Sequence, residues 1–383
     1  MVKIDPYNSK EIYERWKEKN KLGIEGVNEF NSNLILSYLN DMEIGQNIGN
    51  GSRKGSRSPI RLMTLKNRVI FLVRKFQEIY RIDKITDVKE ENLYSFFSDM
   101  RSGKLTKEDG GVYKSVSDYV KVFKAFWHWH QKVSRKSKIT IEDITIDLDS
   151  KAEKGGWVHL SEEQIEKLCD NAKFEYKVLM KFMLDSGIRV TELKNIKVSD
   201  FSDDFRKLDI RQETSKTFGR KINLLLCPDL IKEYVRIKGL KQEDYLFQAH
   251  PNQINRYLKN LALRFLGDEV SQGKQKYSEL TMYDFRHNSA CYWVQKYKKE
   301  SDMKYRFGWK GSDKIYYYTD FIGMRDSITS EDLVTNESKT EIEQEQLSLR
   351  KENEVLKNEM KSMKEQMNRI LEITNKLHSK LAK

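Results

Sequence analysis

Proline is scarce in this chain, with four residues in 383, and cysteine is scarcer, with three. So few prolines leave long stretches free to run as helix. Cys169, Cys227 and Cys291 stand far apart, with no CxxC pair and no Cys/His cluster. That argues against a disulfide framework and against structural zinc, and it fits a reducing, cytoplasmic compartment. No run of about 18 apolar residues occurs, so no membrane-spanning helix is expected. The opening MVKIDPYNSKEIYERWKEKN lacks the apolar core of a signal peptide. What the chain does have is charge: 33% of its residues are charged, and 70 Lys+Arg against 58 Asp+Glu give a net +12. Such an excess favours a polyanionic partner, nucleic acid or an acidic membrane face, with added solubility as the bland alternative.

A chain of 383 residues suggests two or three domains. Leu34, Ile35, Tyr38 and Leu39 mark one helix. QNIGNGSRKGSRSPI, residues 46–60, then reads as a loop. Leu62, Leu65, Val69, Leu72, Phe76 and Ile79 recur in helical steps, as do Val112, Val116, Tyr119, Val120, Phe123 and Trp127, with a shorter helix expected over 87–100. Basic side chains flank these helices. Arg53, Lys54, Arg57, Lys66, Arg68, Arg74 and Lys75 lie near one end, and Lys132, Arg135, Lys136 and Lys138 follow the last helix. Phosphate contacts use such residues; a solvated charged face is the alternative for each one singly. The segment WHWH, 127–130, continues the apolar period without further ligands nearby, so packing is expected rather than metal binding.

Residues 136–156 read as an extended connector. Ser161-Glu-Glu-Gln164 is a capping box that opens a helix. RKLDIRQETSKTFGRKINLLL, 206–226, alternates apolar and polar around Phe218-Gly219 and predicts a β-hairpin. Helices are expected again from Pro228, over 252–265 and over 283–296.

Four boxes stand in this second region: SGIRVTEL (186–193), SKTFGRK (215–221), LTMYDFRHNSA (280–290) and GWKGSDKIYYYT (308–319). Together they resemble the tyrosine recombinase, or phage integrase, family, whose pattern is G-x-R-x-x-E-L, a hairpin Lys, an H-x-x-R box, a G-[HW] pair and a later Tyr. The matching residues are Gly187-x-Arg189-x-x-Glu192-Leu193, Lys216, Tyr283-x-x-Arg286, Gly308-Trp309 and Tyr318-Thr319, in the family's order. The Gly-Trp pair and low proline are similar to integrases of archaeal viruses and plasmids.

The resemblance implies a site-specific recombinase that integrates or excises a mobile element through a 3′-phosphotyrosyl intermediate, with no metal or nucleotide cofactor. Its catalytic residues would be Arg189, Lys216, Tyr283, Arg286, Trp309 and Tyr318. Chemistry supports the set. Two guanidinium forks can neutralise the charge that builds on a phosphodiester. Trp309 can add an indole N–H, and a lysine among arginines, with its pKa lowered, can protonate the departing 5′-oxygen. Among the three adjacent tyrosines, Tyr318 fits best, nine residues after Trp309. Read singly, Arg189 could be a surface residue at a helix start, Lys216 a turn lysine, and Arg286 a partner of Asp284 or Glu192. Tyr283 stands where the family has His, and a phenol is a poor base at neutral pH. His287 matches a family residue expected to give structural support. A type IB topoisomerase shares this chemistry, and a DNA-binding protein with a decayed site is a third reading.

The fold class implied is mainly α and multidomain. It comprises a helical extension over 1–21 and a core-binding DNA clamp (a SAM-like bundle) over 22–150. An α+β catalytic domain of the DNA breaking-rejoining type, with a small β-hairpin sheet, follows over 157–330, and a C-terminal coiled coil over 337–383. DNA phosphates would meet Arg53, Lys54, Arg57, Lys66, Lys136, Arg220 and Lys221, in a protein associated with the nucleoid. In the tail Ile342, Leu349, Leu356, Met363, Ile370 and Leu377 recur every seven residues, with Gln346, Asn353, Met360, Met367, Thr374 and Leu381 offset by four. This heptad seam predicts a dimer, with tetramers on paired DNA sites; a helix folded back on its own domain is the alternative. The tail is nearly neutral, with 10 Lys+Arg against 9 Asp+Glu, so the positive excess lies ahead of it.

Overall fold

Three of the four prolines open helices: Pro59, Pro228 and Pro251 stand in the first turn, where a fixed φ and a missing N–H cost little. The computed structural model describes residues 5–49, 52–151, 155–297 and 299–324 and, in the tail, Leu349, Glu352, Asn353, Leu356, Met360, Met363, Lys364 and Met367. The chain divides into one unit over residues 1–318 and another over 319–383.

The first unit holds two hydrophobic cores. The N-terminal core is built by α1 (Ser9–Lys19), α2 (Glu29–Ile44), α3 (Pro59–Tyr80), α4 (Glu90–Ser102) and α5 (Val116–Lys136). The stripe read along α3 is buried at Leu62, Leu65, Val69, Leu72 and Phe76, and meets Phe96, Phe123, Phe126 and Trp129. Tyr13 of α1 is buried in the same core, so α1 belongs to this bundle rather than extending from it. The two tryptophans of WHWH are core residues, as expected. Trp129 donates to Asp41 Oδ2 at 2.7 Å, and Trp127 donates to the Glu142 carbonyl at 2.9 Å.

The second core is built by α6 (Glu162–Asp170), α7 (Phe174–Ser186), α8 (Val190–Leu193), β1 (Lys207–Ile210), β2 (Arg220–Asn223), α9 (Pro228–Lys238), α10 (Pro251–Leu266) and α11 (Met282–Val294), and α12 (Glu300–Phe307) and α13 (Asp313–Phe321) follow in the chain. The capping box forms: Ser161 Oγ accepts from Gln164 N at 3.2 Å, and Gln164 Oε1 accepts from Ser161 N at 3.0 Å. Helix α7 packs along α11, burying Val178, Phe182 and Phe285.

The hairpin differs from the sequence expectation. Its strands are short, and residues 211–219 form the connection, so Phe218-Gly219 ends the loop rather than making the turn. The pairing Leu208↔Ile222 and Ile210↔Arg220 turns those four residues to the covered face.

In the second unit the described tail positions from Leu349 to Met367 are all helical, and Leu349, Leu356, Met360, Met363 and Met367 are exposed. The seam positions Ile342, Gln346, Ile370, Thr374, Leu377 and Leu381 lie outside the described residues. Among the described residues no helix is long and apolar enough to cross a membrane.

Candidate active site

Among the helices that end on glycine, two have ends that meet an arginine. Helix α7 terminates at Gly187 with φ 59°, and α12 terminates at Gly308, also with φ 59°. Both sit in the left-handed region that glycine tolerates. A Cβ on Gly308 would stand 2.9 Å from Thr217 Oγ1, so close approach demands glycine there as well. The last carbonyls of a helix lack internal partners and carry its negative dipole end. Here they take guanidinium donors. Arg286 donates through Nη1 to the Gly187 carbonyl and through Nη2 to the Phe307 carbonyl at 2.6 Å. Arg189, the residue before α8, donates through Nη2 to the Gly308 carbonyl at 2.9 Å. The fork of Arg286 thus ties α11 to the ends of α7 and α12, and does not pair with Asp284 or Glu192.

A buried ion network backs this pair. Glu192 has no exposed side chain. It accepts from Arg220 Nη1 and Nη2 at 3.1 and 3.0 Å, from Arg189 Nη1 at 3.0 Å and from Ser215 Oγ at 2.9 Å. Burial pushes the Glu192 carboxyl up, but hydrogen bonds and charge from Arg220, then from Arg189, outweigh it and hold it at about 2. Arg220 continues the network through Nε to the Arg306 carbonyl at 2.8 Å. Arg306 pairs with Asp185 at 2.9 Å, and Asp185 Oδ2 caps the backbone after β2 by accepting from the N–H groups of Leu225, Leu226 and Cys227. Burial, with the charge of Arg189, pushes Arg286 down to about 9, which still leaves it protonated at neutral pH.

The three tyrosines lie on α13, so successive side chains turn by about 100° and only one enters the site. Tyr316 is 55% exposed, whereas Tyr318 is 4% exposed. Tyr317 accepts at its hydroxyl from Trp157 Nε1, 2.9 Å away. The Tyr318 hydroxyl lies 2.7 Å from His287 Nδ1. Its ring stacks on Trp309 with centroids 5.7 Å apart, and Trp309 stacks in turn on Phe307. Burial, then Tyr283, pushes the Tyr318 phenol up, while Arg286 pulls it down. His287 is held between Trp157, stacked at 4.8 Å, and the ring of Tyr283, set across it at 4.7 Å.

The structure therefore gathers Arg189, Arg286, Trp309 and Tyr318 around Gly308. Lys216 is exposed on the 211–219 loop, beside Thr217, whose hydroxyl donates to the Gly308 carbonyl at 3.0 Å. Tyr283 is 59% exposed, and its ring meets the His287 ring. Two of the expected DNA contacts need correction. Arg220 is buried with both Nη atoms on Glu192, and is a strut of the site rather than a surface cation. Lys66 is buried on the apolar side of α3 with Nζ 4.6 Å from the centre of the Trp16 ring, and burial pushes its pKa down. Arg53, Lys54, Lys136 and Lys221 are exposed and Arg57 half-buried. Lys54 donates to the Ile48 and Gly49 carbonyls, Lys132 to the Ile48 carbonyl at 3.0 Å, and Lys136 to Asn47 Oδ1. Two basic clusters more than seventy residues apart in sequence thereby meet over one loop. Trp157, Asp185 and Arg306 carry no sequence motif, and only position in the fold reveals them. Among the described residues no group of three or more His, Cys, Asp and Glu could hold a metal ion.

The model of the phage integrase family matches residues 159–321. A "Probable integrase/recombinase" of Acholeplasma phage L2 is 36% identical over 95 residues, covering 22% of this chain and 32% of the relative. The chain thus spans about a third of the length of the curated relative it matches. Among solved structures, the Tn1549 transposon integrase in complex with transposon right end DNA aligns with TM-score 0.54 and 14% identity, covering 82% of this chain and 98% of that one. A lambda integrase dimer bound to a COC′ core site aligns with TM-score 0.57 and 15% identity, covering 84% of each chain. At these identities the two structures speak to fold alone. The region that carries Arg189, Arg286 and Tyr318 is thus similar to the phage integrase family, whose model it matches over residues 159–321.

Proposed function

We propose that this chain is a site-specific DNA recombinase that cuts and rejoins DNA through a 3′-phosphotyrosyl intermediate, for integration or excision of a mobile element. The observation that carries the reading is the convergence of Arg189, at the N-cap of α8, Arg286 of α11 and Tyr318 of α13 on the turn at Phe307–Trp309. A guanidinium has five N–H donors. Arg286 uses Nη1 and Nη2 on helix-end carbonyls, which fix its plane. The remaining donors of the two forks would meet the non-bridging oxygens of a scissile phosphate, where charge grows during attack. Trp309 holds the ring of Tyr318 in place; Lys216, on the 211–219 loop, would protonate the departing 5′-oxygen. The test is covalent capture: incubate the chain with a library of nicked duplexes of randomised sequence and recover DNA that stays attached in detergent. Recovery of a defined sequence on Tyr318 supports a recombinase, efficient relaxation of any supercoiled plasmid would favour a topoisomerase, and no capture alongside DNA binding would favour a decayed site.

The N-terminal bundle is read as the core-binding clamp, with the cations gathered around residues 47–49 on the phosphate backbone. Replacing Lys54 and Lys136 together by Gln should weaken binding to every sequence alike. It should also flatten the slope of log affinity against log salt by about 0.9 for each phosphate that is no longer neutralised. A slope equal to wild type would remove these two lysines from the interface.

The tail is read as a parallel coiled coil between two copies. Its exposed apolar positions fall on the heptad seam, and Asn353 at an a position suits a dimer. Linking two protomers this way raises the effective concentration of the second. Deleting residues 337–383 should weaken pairing of two DNA sites and leave cleavage at one site nearly intact. Sedimentation of the full chain as a monomer at tens of micromolar would return the tail to an intramolecular role.

A further inference from the structure

We propose that His287 is the catalytic base for Tyr318, its Nδ1 taking the phenolic proton as Oη attacks phosphorus and returning it when the strand is rejoined. This rests on the recombinase reading above. The Tyr318 hydroxyl is 2.7 Å from Nδ1, within direct transfer distance. The imidazole is held for that task from several sides. The indole of Trp157, on the segment entering the second core, stacks on it at 4.8 Å with the planes 19° apart, and the ring of Tyr283, one turn earlier on α11, stands across it at 4.7 Å with the planes 81° apart. Tyr283 occupies the place where the family pattern puts an imidazole, and it is a poor base at neutral pH. His287, four residues on and one turn along the same helix face, supplies the missing ring.

The charged and titratable groups facing this imidazole are Tyr318 and Lys314 from α13 and Arg286 and Tyr283 from α11. Burial, then Lys314 and Arg286, pushes His287 down to about 4, so the ring is neutral near pH 7 with a lone pair free to accept. Burial pushes the phenol the other way. The resting pair therefore keeps its proton on Tyr318, and transfer has to coincide with bond formation. As the Oη electron pair enters the P–O bond the phenol becomes acidic, and the phosphodiester anion between Arg189 and Arg286 stabilises the imidazolium. The O–H bond breaks as Tyr318 Oη–P forms, its proton passing to His287 Nδ1, and the P–O5′ bond breaks as the 5′-oxygen takes a proton from the Lys216 ammonium. Rejoining runs the same steps in reverse, with imidazolium as the acid.

The experiment uses the full chain and the nicked-duplex library. Wild type, H287A, H287Q and Y318F are compared for the rate of covalent capture at saturating protein, with and without added imidazole. Both H287A and H287Q should lose about 10²–10⁴-fold, because Gln can accept a hydrogen bond but cannot take up the proton. Imidazole should restore H287A in proportion to its free-base form and leave Y318F inactive. Nitrogen NMR of the labelled wild-type chain should place an unprotonated Nδ1 at His287 near pH 7, shifted in Y318F; this arm stands even if H287A does not fold. If H287Q captures DNA as fast as wild type, or Nδ1 carries the proton, His287 only positions the ring and the base assignment falls. If wild type captures nothing, the recombinase reading falls and takes the base with it.

Discussion

Tyr318→Phe should abolish covalent attachment to DNA while leaving affinity for the same duplex near wild type. The phenol oxygen is the only heavy atom removed. The ring keeps its stack on Trp309 and its contact with Trp157, so the site should not collapse. The cost in folding should be small, since the hydrogen bond to His287 joins one neutral pair and contributes about 1 kcal/mol. The effect on chemistry is absolute, because no bond to phosphorus can form without an oxygen nucleophile. Tyr316→Phe and Tyr317→Phe are the controls. Tyr316 is exposed and Tyr317 holds Trp157, so neither change should remove capture. Capture by Y318F, mapped by mass spectrometry to one of its neighbours, would shift the nucleophile along α13 and undo the assignment.

Glu192→Ala should cost the fold more than any single change outside the large apolar residues. It strips the partner from Arg220, whose side chain is 0% exposed, and from Arg189. Breaking one side of a buried pair costs about 3–5 kcal/mol, because the other charge stays buried without compensation. Whole domains are stable by about 5–15 kcal/mol, so the variant should melt early or fail to accumulate. The same network makes acid a probe. The Glu192 carboxyl is depressed from 4.5 to about 2 in the folded chain. Its contribution is therefore fully present above about pH 4.5 and is lost as pH falls toward 2. Over that window it amounts to something on the order of 3 kcal/mol. Urea midpoints for wild type, E192A and E192Q should differ at pH 7 and converge toward pH 2. Midpoints that coincide at pH 7 would show that Arg220 finds other partners.

Local patterns in the sequence carry most of this fold. The stripe from Leu62 to Phe76 sets α3 and its buried side, and Ser161 with Gln164 sets the start of α6. The site boxes are legible too, because each spans a few residues at a helix end or turn. Pairings across the chain are not, since no local period encodes Arg220 on Glu192 or His287 on Tyr318. Even so, the inward placement of two basic residues has a local signature. Strand alternation puts Arg220 on the same face as Ile222. Helical spacing puts Lys66 four residues from Leu62 and three from Val69, on the buried stripe. A basic residue next to other basic residues is weak grounds for a surface contact when its own element points it inward. The turn of the hairpin escapes the sequence pattern for a different reason: a Phe-Gly dipeptide resembles a turn, but Gly219 N–H is taken by the Gln212 side chain at the loop's base.

The stack of Trp157 on His287, and of Trp309 on Tyr318, places two of the six tryptophans against the proposed base and nucleophile. An indole reports on what touches its face, and a cationic ring quenches it differently from a neutral one. The molecule therefore carries its own optical probe of Tyr318, without a label and without disturbing the site. Emission followed on rapid mixing with DNA would register the moment Tyr318 leaves its resting stack, and a chain with Trp157 or Trp309 replaced by Phe would tell which face moves first. Strand cleavage could then be timed against a motion of the protein itself, rather than inferred from the fragments it leaves behind.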